Sequence, residues 1–117
     1  MKRQSIISSF KNAFNGLWYF FLHERNGKVQ LSAAVLATVL GYSLGVSVTE
    51  WLMLLLCMAV VLALEMVNSA IERICDLVQE DYHPVIKAVK DMAAGAVLFT
   101  AAISVVAGVV IFLPKLL

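Results

Sequence analysis

The stretch LEMVNSAIERICD, residues 64–76, sets Glu65, Asn68, Ser69, Glu72 and Asp76 directly after the apolar run 51–64. At 3.6 residues per turn these five side chains fall within a helical sector about 100° wide. Carboxylates stacked on one face can do two kinds of chemistry. They can hold Mg2+, which takes oxygen ligands and commonly binds through one or two carboxylates plus phosphate oxygens. An acid placed deeper can instead take a proton from an alcohol. Further charges stand beside the flanking apolar segments: Glu24 ahead of the first, and Lys90 with Asp91 ahead of the last. A lysine there supplies a point charge for phosphate. Acids for a metal, a cation for phosphate and a deep base form the layout of a kinase acting on an alcohol held in an apolar phase.

Taken singly, each residue has a plainer reading. Glu65, Asn68 and Ser69 could hydrogen-bond between helices, and Glu24 and Lys90 could be charges snorkelling to an interface. Five polar side chains on one face favour a site, the default for acids within an apolar span.

The elements that position these residues follow from composition. The chain has 117 residues, of which 62% are hydrophobic and 15% charged, with a mean hydropathy of +0.89. Three segments, 29–49, 51–71 and 92–114, reach the roughly 20 residues needed to cross a hydrocarbon core. The expected fold is an all-α membrane protein, one domain over 1–117 with three transmembrane helices. Within residues 1–28, Phe10, Phe14, Leu17, Trp18 and Phe21 repeat at helical spacing, which predicts an amphipathic helix on the membrane surface. No compact apolar core followed by a small-residue cleavage site occurs there, so these residues are expected in the mature protein.

Lys2, Arg3, Lys11, Arg25 and Lys28 precede the first span, and Arg73, Lys87 and Lys90 lie between the second and third; the connection 45–50 has no basic residue and the C-terminus has Lys115 alone. The positive-inside rule then puts the N-terminus and the 73–90 region in the cytoplasm and the C-terminus outside. Trp18 and Trp51 mark opposite interfaces. The linker 76–83 leads to Pro84, suited to a first helical turn, with Asp81 and His83 as capping candidates. Gly41, Gly45, Gly95 and Gly108 are candidates for close helix contacts.

Several functions are excluded. The net charge of +1 forms no dense basic face, so no nucleic-acid partner is expected. Cys57 and Cys75 on one helix would lie about 27 Å apart, too far for a bridge within the chain. There is no GxxxxGK[ST] loop and no HRD or DFG set, which excludes a soluble-type nucleotide fold. A small oligomeric channel or transporter with an acid-lined pore is the competing reading; it leaves Lys90 and Asp91 unexplained.

ALEMVNSAIERICD, with HERN before the first span and YHPVIKAVKDMAAGAVL opening the third, resembles the prokaryotic diacylglycerol kinase family, which includes the undecaprenol kinases. The likeness covers residues 10–113. It implies a homotrimer in the bacterial inner membrane, with active sites between subunits that open to the cytoplasm. ATP would be the phosphoryl donor, Mg2+ its metal, and undecaprenol or diacylglycerol the lipid acceptor. By the same resemblance, Glu65 is the general base and Asn68 supports the catalytic centre, while Glu24 and Glu72 bind the metal. Lys90, Asp91, Asp81, Tyr82, His83 and Asp76 border the nucleotide. The segments HERNGKVQLSAAVLATVLGY and VVIFLPKLL look more like the undecaprenol kinase branch.

Overall fold

A computed structural model describes residues 5–117, so Lys2 and Arg3 lie outside the described residues. The described residues form four helices: α1 (Ile6–His23), α2 (Arg25–Leu44), α3 (Val48–Val78) and α4 (Pro84–Leu116). Among the described residues there is no strand. The antiparallel pair α3 and α4 forms the body, α2 packs against both, and α1 packs against α2.

Local chemistry accounts for the joints. Ser5 caps α1 by accepting a hydrogen bond from the Ser8 amide at 3.1 Å. The α1–α2 joint is a single residue, Glu24, whose extended backbone ends one helix and starts the next. The chain can fold back this tightly because residue 27 is glycine: a β-carbon there would stand 2.7 Å from the Phe20 carbonyl oxygen. Phe20 is accordingly the one described residue of α1 that is buried.

Between α2 and α3, Gly45 adopts φ 66, the left-handed conformation that side chains resist. Ser47 and Glu50 then form a reciprocal capping box, with Ser47 Oγ accepting the Glu50 amide at 3.1 Å and Glu50 Oε1 accepting the Ser47 amide at 2.9 Å. Glu50 Oε1 also meets Lys115 Nζ at 3.1 Å, clipping the start of α3 to the end of α4. Trp51 lies on Gly41, and Val46, Leu54 and Ile111 cluster beside it. At the other end His83 caps α4, its Nδ1 accepting from the Val85 amide at 3.2 Å, with Pro84 following as the first helical residue.

Two of the helices overrun the segments expected from hydropathy: 51–71 becomes Val48–Val78 and 92–114 becomes Pro84–Leu116, while 29–49 shifts to Arg25–Leu44, ending before the turn at Gly45; the linker 76–83 shrinks to 79–83. Apolarity marks the stretch that lipid can tolerate, whereas helical hydrogen bonding continues into polar residues. Among the described residues two helices, α3 and α4, are long and apolar enough to cross a membrane. The 20-residue α2 opens with Arg25, Asn26, Lys28 and Gln30.

Large apolar side chains cover the outside, Phe10, Phe14, Trp18, Leu56, Phe99 and Val106 among them. The exposed stripe of α1 is therefore free to meet lipid, and the buried residue of that helix is Phe20, which lies off the stripe. Of the four expected contact glycines, Gly41 makes a close approach and Gly45 makes a turn, but a β-carbon at Gly95 or Gly108 would enter open space. Both cysteines are free thiols.

Candidate active site at the inner face of α3

The face that α3 turns towards its neighbours changes character along its length. It begins apolar, with Leu54 and Val61 buried, and becomes polar at Glu65, Asn68 and Ser69, which are 6%, 4% and 7% exposed. Glu72 is half-buried and Asp76 exposed. A single face thus runs from hydrocarbon-like packing to a water-accessible rim over three turns, as the helical period requires.

Burial does not come with full satisfaction. Glu65 Oε2 and Asn68 Oδ1 have no hydrogen-bond partner among the described residues. The polar groups that interact with Glu65 are Asn26 and Gln30 on α2 and Glu72 on its own helix. Two buried acceptors without donors, one turn apart, leave a place for a group that carries a proton or a positive charge.

Glu24 reaches α3 through Arg73, whose Nε donates to Glu24 Oε1 at 2.6 Å. The same guanidinium lies 5.0 Å from the centroid of the Tyr19 ring, and Tyr19 stacks on His23 at 4.5 Å. Arg73 follows Glu72 directly, so the two carboxylates expected to share a metal belong to one level of the bundle. Among the described residues no three His, Cys, Asp or Glu side chains converge as a metal cage. Mg2+ held largely by phosphates needs only one or two carboxylates, a demand the chemistry of Glu24 and Glu72 meets, although Glu24 is engaged by Arg73 and adjacent positions on α3 diverge by about 100°.

Lys90 Nζ bonds Asp76 Oδ1 at 2.5 Å, joining α4 to α3 at the rim. Asp91 turns away and pairs with Lys87 at 2.6 Å on the exposed side of α4. Adjacent residues on a helix diverge by about 100°, so Lys90 and Asp91 do not point at one spot. Asp81 and Tyr82 are exposed in the 79–83 loop, and His83 is engaged as the cap of α4.

Asn26, Gln30 and Arg73 were not among the expected site residues. The first two are spaced i, i+4 at the start of a span, a polar pair on one face, which is a readable signal. Arg73 carries no such signal, since its partner lies 49 residues away in sequence.

Below Glu65, a groove of about 420 Å3 runs between α2, α3 and α4. Ala34, Ala37, Leu54, Met58 and Gly108 line it, and its polar members are Gln30 and Ser104. Ser104 Oγ is satisfied by the Thr100 carbonyl at 2.8 Å. Gln30 lines the groove and interacts with Glu65, so one side chain links the apolar groove to the buried carboxylate.

Residues 11–112 match the family described as prokaryotic diacylglycerol kinase. The chain is 41% identical over 110 residues to an undecaprenol kinase of Bacillus subtilis (strain 168), covering 94% of this chain and 89% of that protein. It is 34% identical over 114 residues to a diacylglycerol kinase of Synechocystis sp., covering 97% of this chain and 65% of the relative. A diacylglycerol kinase of Escherichia coli (strain K12) is 29% identical over 101 residues, covering 86% of this chain and 83% of that one. With the match running nearly from end to end, the chain belongs to the prokaryotic diacylglycerol kinase family, a family of lipid kinases.

Proposed function

We propose that the protein transfers the γ-phosphoryl group of ATP to the hydroxyl of a membrane lipid alcohol, with Glu65 as general base and undecaprenol preferred to diacylglycerol. The observation that carries this reading is the buried Glu65, whose Oε2 has no partner among the described residues and which Gln30 links to an apolar groove. A lipid chain in that groove would bring its hydroxyl to Glu65 and Gln30. Glu65 accepts the hydroxyl proton as the lipid oxygen bonds to the γ-phosphorus, the bond from that phosphorus to the β-phosphate oxygen breaks, and ADP leaves. Asn68 orients the reacting groups from the next turn.

Glu24 and Glu72 would hold Mg2+, which when bound neutralises charge on the phosphates. Lys90 would exchange Asp76 for a phosphate oxygen. Asp81, Tyr82 and His83 border the nucleotide on the same side, and Asp91 joins it only through a change of partner from Lys87. Phosphoryl transfer asks of a protein mainly positioning and charge stabilisation, which these residues supply.

A channel lined by the acidic stripe is the less favoured reading, because its deepest acid, Glu65, is buried against the chain's own helices and it gives Lys90 no part to play.

The reading includes α1 on the cytoplasmic surface, α2, α3 and α4 as three spans of the bacterial inner membrane, and a homotrimer whose subunit number native mass spectrometry would count. In a thiol-free variant, single cysteines at Thr49 and Gln79 test the orientation with a membrane-impermeant reagent on intact cells. Residue 49 should label from outside and residue 79 only after the cells are opened; the reverse pattern would remove the carboxylates from cytoplasmic ATP.

The 41% identity to an undecaprenol kinase, above the 34% and 29% to the diacylglycerol kinases, favours undecaprenol. Undecaprenol and diacylglycerol presented with Mg-ATP in matched mixed micelles should differ about tenfold in kcat/KM in favour of undecaprenol, about 1.4 kcal/mol of transition-state binding. Preference for diacylglycerol would overturn the substrate assignment alone. Turnover of neither would overturn the reaction.

A further inference from the structure

We propose that Arg73 is a positioning residue for this reaction: it moors α1 and the α1–α2 joint to α3, so that Glu24 presents one oriented oxygen to the metal of the nucleotide. The inference rests on the assignment of Glu24 to that metal.

Glu24 needs such a mooring. It is the sole residue between two helices, its backbone is extended, and its side chain makes no capping bond. A carboxylate on a one-residue joint has no helical register to aim it. Arg73 supplies the aim through a bond that falls on Oε1, leaving Oε2 to face a ligand.

The same side chain places the helix that carries the joint. Its guanidinium covers the Tyr19 ring at 5.0 Å, one turn before Glu24, and Tyr19 is braced by His23. Otherwise α1 buries only Phe20 among its described residues. One planar group therefore sets both the direction of α1 and the direction of the carboxylate. Lysine could not do both, because an ammonium is a point charge without a fork or a flat face. The Arg73 side chain is 54% exposed, and pairs this open contribute little to stability; the effect to expect is on geometry. Groups that orient a metal-binding side chain typically change metal affinity 10- to 100-fold when removed.

The test compares Arg73→Gln, Arg73→Lys and Glu24→Gln in the full chain, reconstituted in lipid nanodiscs. Nitroxide labels at Asn15 on α1 and Glu80 after α3, with Cys57 and Cys75 replaced by alanine, report the placement of α1 without nucleotide. Arg73→Gln should broaden that distance distribution, raise the KM for Mg-ATP about tenfold, shift the Mg2+ dependence upward, and leave kcat within about twofold. Arg73→Lys should recover little of either. An unchanged distance distribution overturns the proposal, as does a native KM in Arg73→Gln. Full rescue by lysine also overturns it, since charge alone would then suffice, and so does a loss confined to kcat, which would put Arg73 on the reacting phosphoryl group. If Glu24→Gln binds Mg-ATP as the native protein does, the metal assignment of Glu24 fails; the nucleotide-free distances still report the mooring of α1 independently.

Discussion

Glu65→Gln should lower kcat for lipid phosphorylation by about 10^2- to 10^4-fold, the usual contribution of a positioned general base. The substitution keeps size and hydrogen-bonding capacity, so folding and assembly should be preserved, and it removes no residue assigned to the metal. Mg-ATP affinity, measured by calorimetry on the purified protein, should therefore stay near native while turnover collapses. The separation of the two readouts gives the experiment its force. Glu65 is buried beside α2, one turn from the unpaired Asn68 oxygen, and lies about 10 Å along α3 from Glu72 at 1.5 Å per residue. A residue at that depth can reach a lipid hydroxyl without touching the metal. Turnover within tenfold of native would eliminate Glu65 as the base.

Glu24→Gln and Glu72→Gln should produce the opposite pattern. Each removes one carboxylate from the pair assigned to Mg2+, so the affinity for Mg-ATP should fall roughly 10- to 100-fold, the scale on which metal sites respond even to loss of a supporting group. The Mg2+ concentration for half-maximal rate should rise in both variants, and saturating metal should recover part of the activity. ATP without metal should bind all forms alike. Because the carboxylates act on one ion, the double variant should lose less than the product of the single losses. Normal Mg-ATP binding in both single variants would refute the assignment of the metal to this pair.

Much of this site is legible in the residue order because α3 is one uninterrupted helix. Its period alone places Glu65, Asn68, Ser69, Glu72 and Asp76 on a common face, and the burial of the first three agrees. The cap of α4 is legible for a similar reason, since His83 and Pro84 act on amides within their own turn. Contacts between helices are not written so locally. Arg73 finds Glu24 because α1 folds back at Gly27, and nothing in ERI distinguishes that arginine from an orienting charge at a membrane surface. The resemblance groups Lys90 and Asp91 as a pair, yet one helical step sends them to different partners. The ends of the apolar segments do not mark the helix ends, because hydropathy reports which residues tolerate lipid, and α3 and α4 stay helical well beyond those.

The clip between Glu50 and Lys115 has a consequence for how depth is set. At 1.5 Å per residue α3 and α4 are about 46 and 50 Å long, against a hydrocarbon thickness of about 30 Å. Their ends are tied together on the side of Trp51, so the surplus length emerges at the opposite end. Counted from Trp51, Glu65 lies about 21 Å along the helix and Glu72 about 32 Å. In the proposed orientation Glu65, the proposed base, would sit inside the hydrocarbon and Glu72 at its edge. Bilayer thickness then becomes a parameter of the catalyst. A thicker membrane submerges Glu72 and its neighbours, at roughly 2.5–3.5 kcal/mol for a fully immersed charge on insertion scales, while a thinner one lifts Glu65 towards water. Hydrophobic mismatch, ordinarily a matter of tilt and sorting, would in that orientation make the acyl length of the surrounding lipids an effector of rate that needs no binding site.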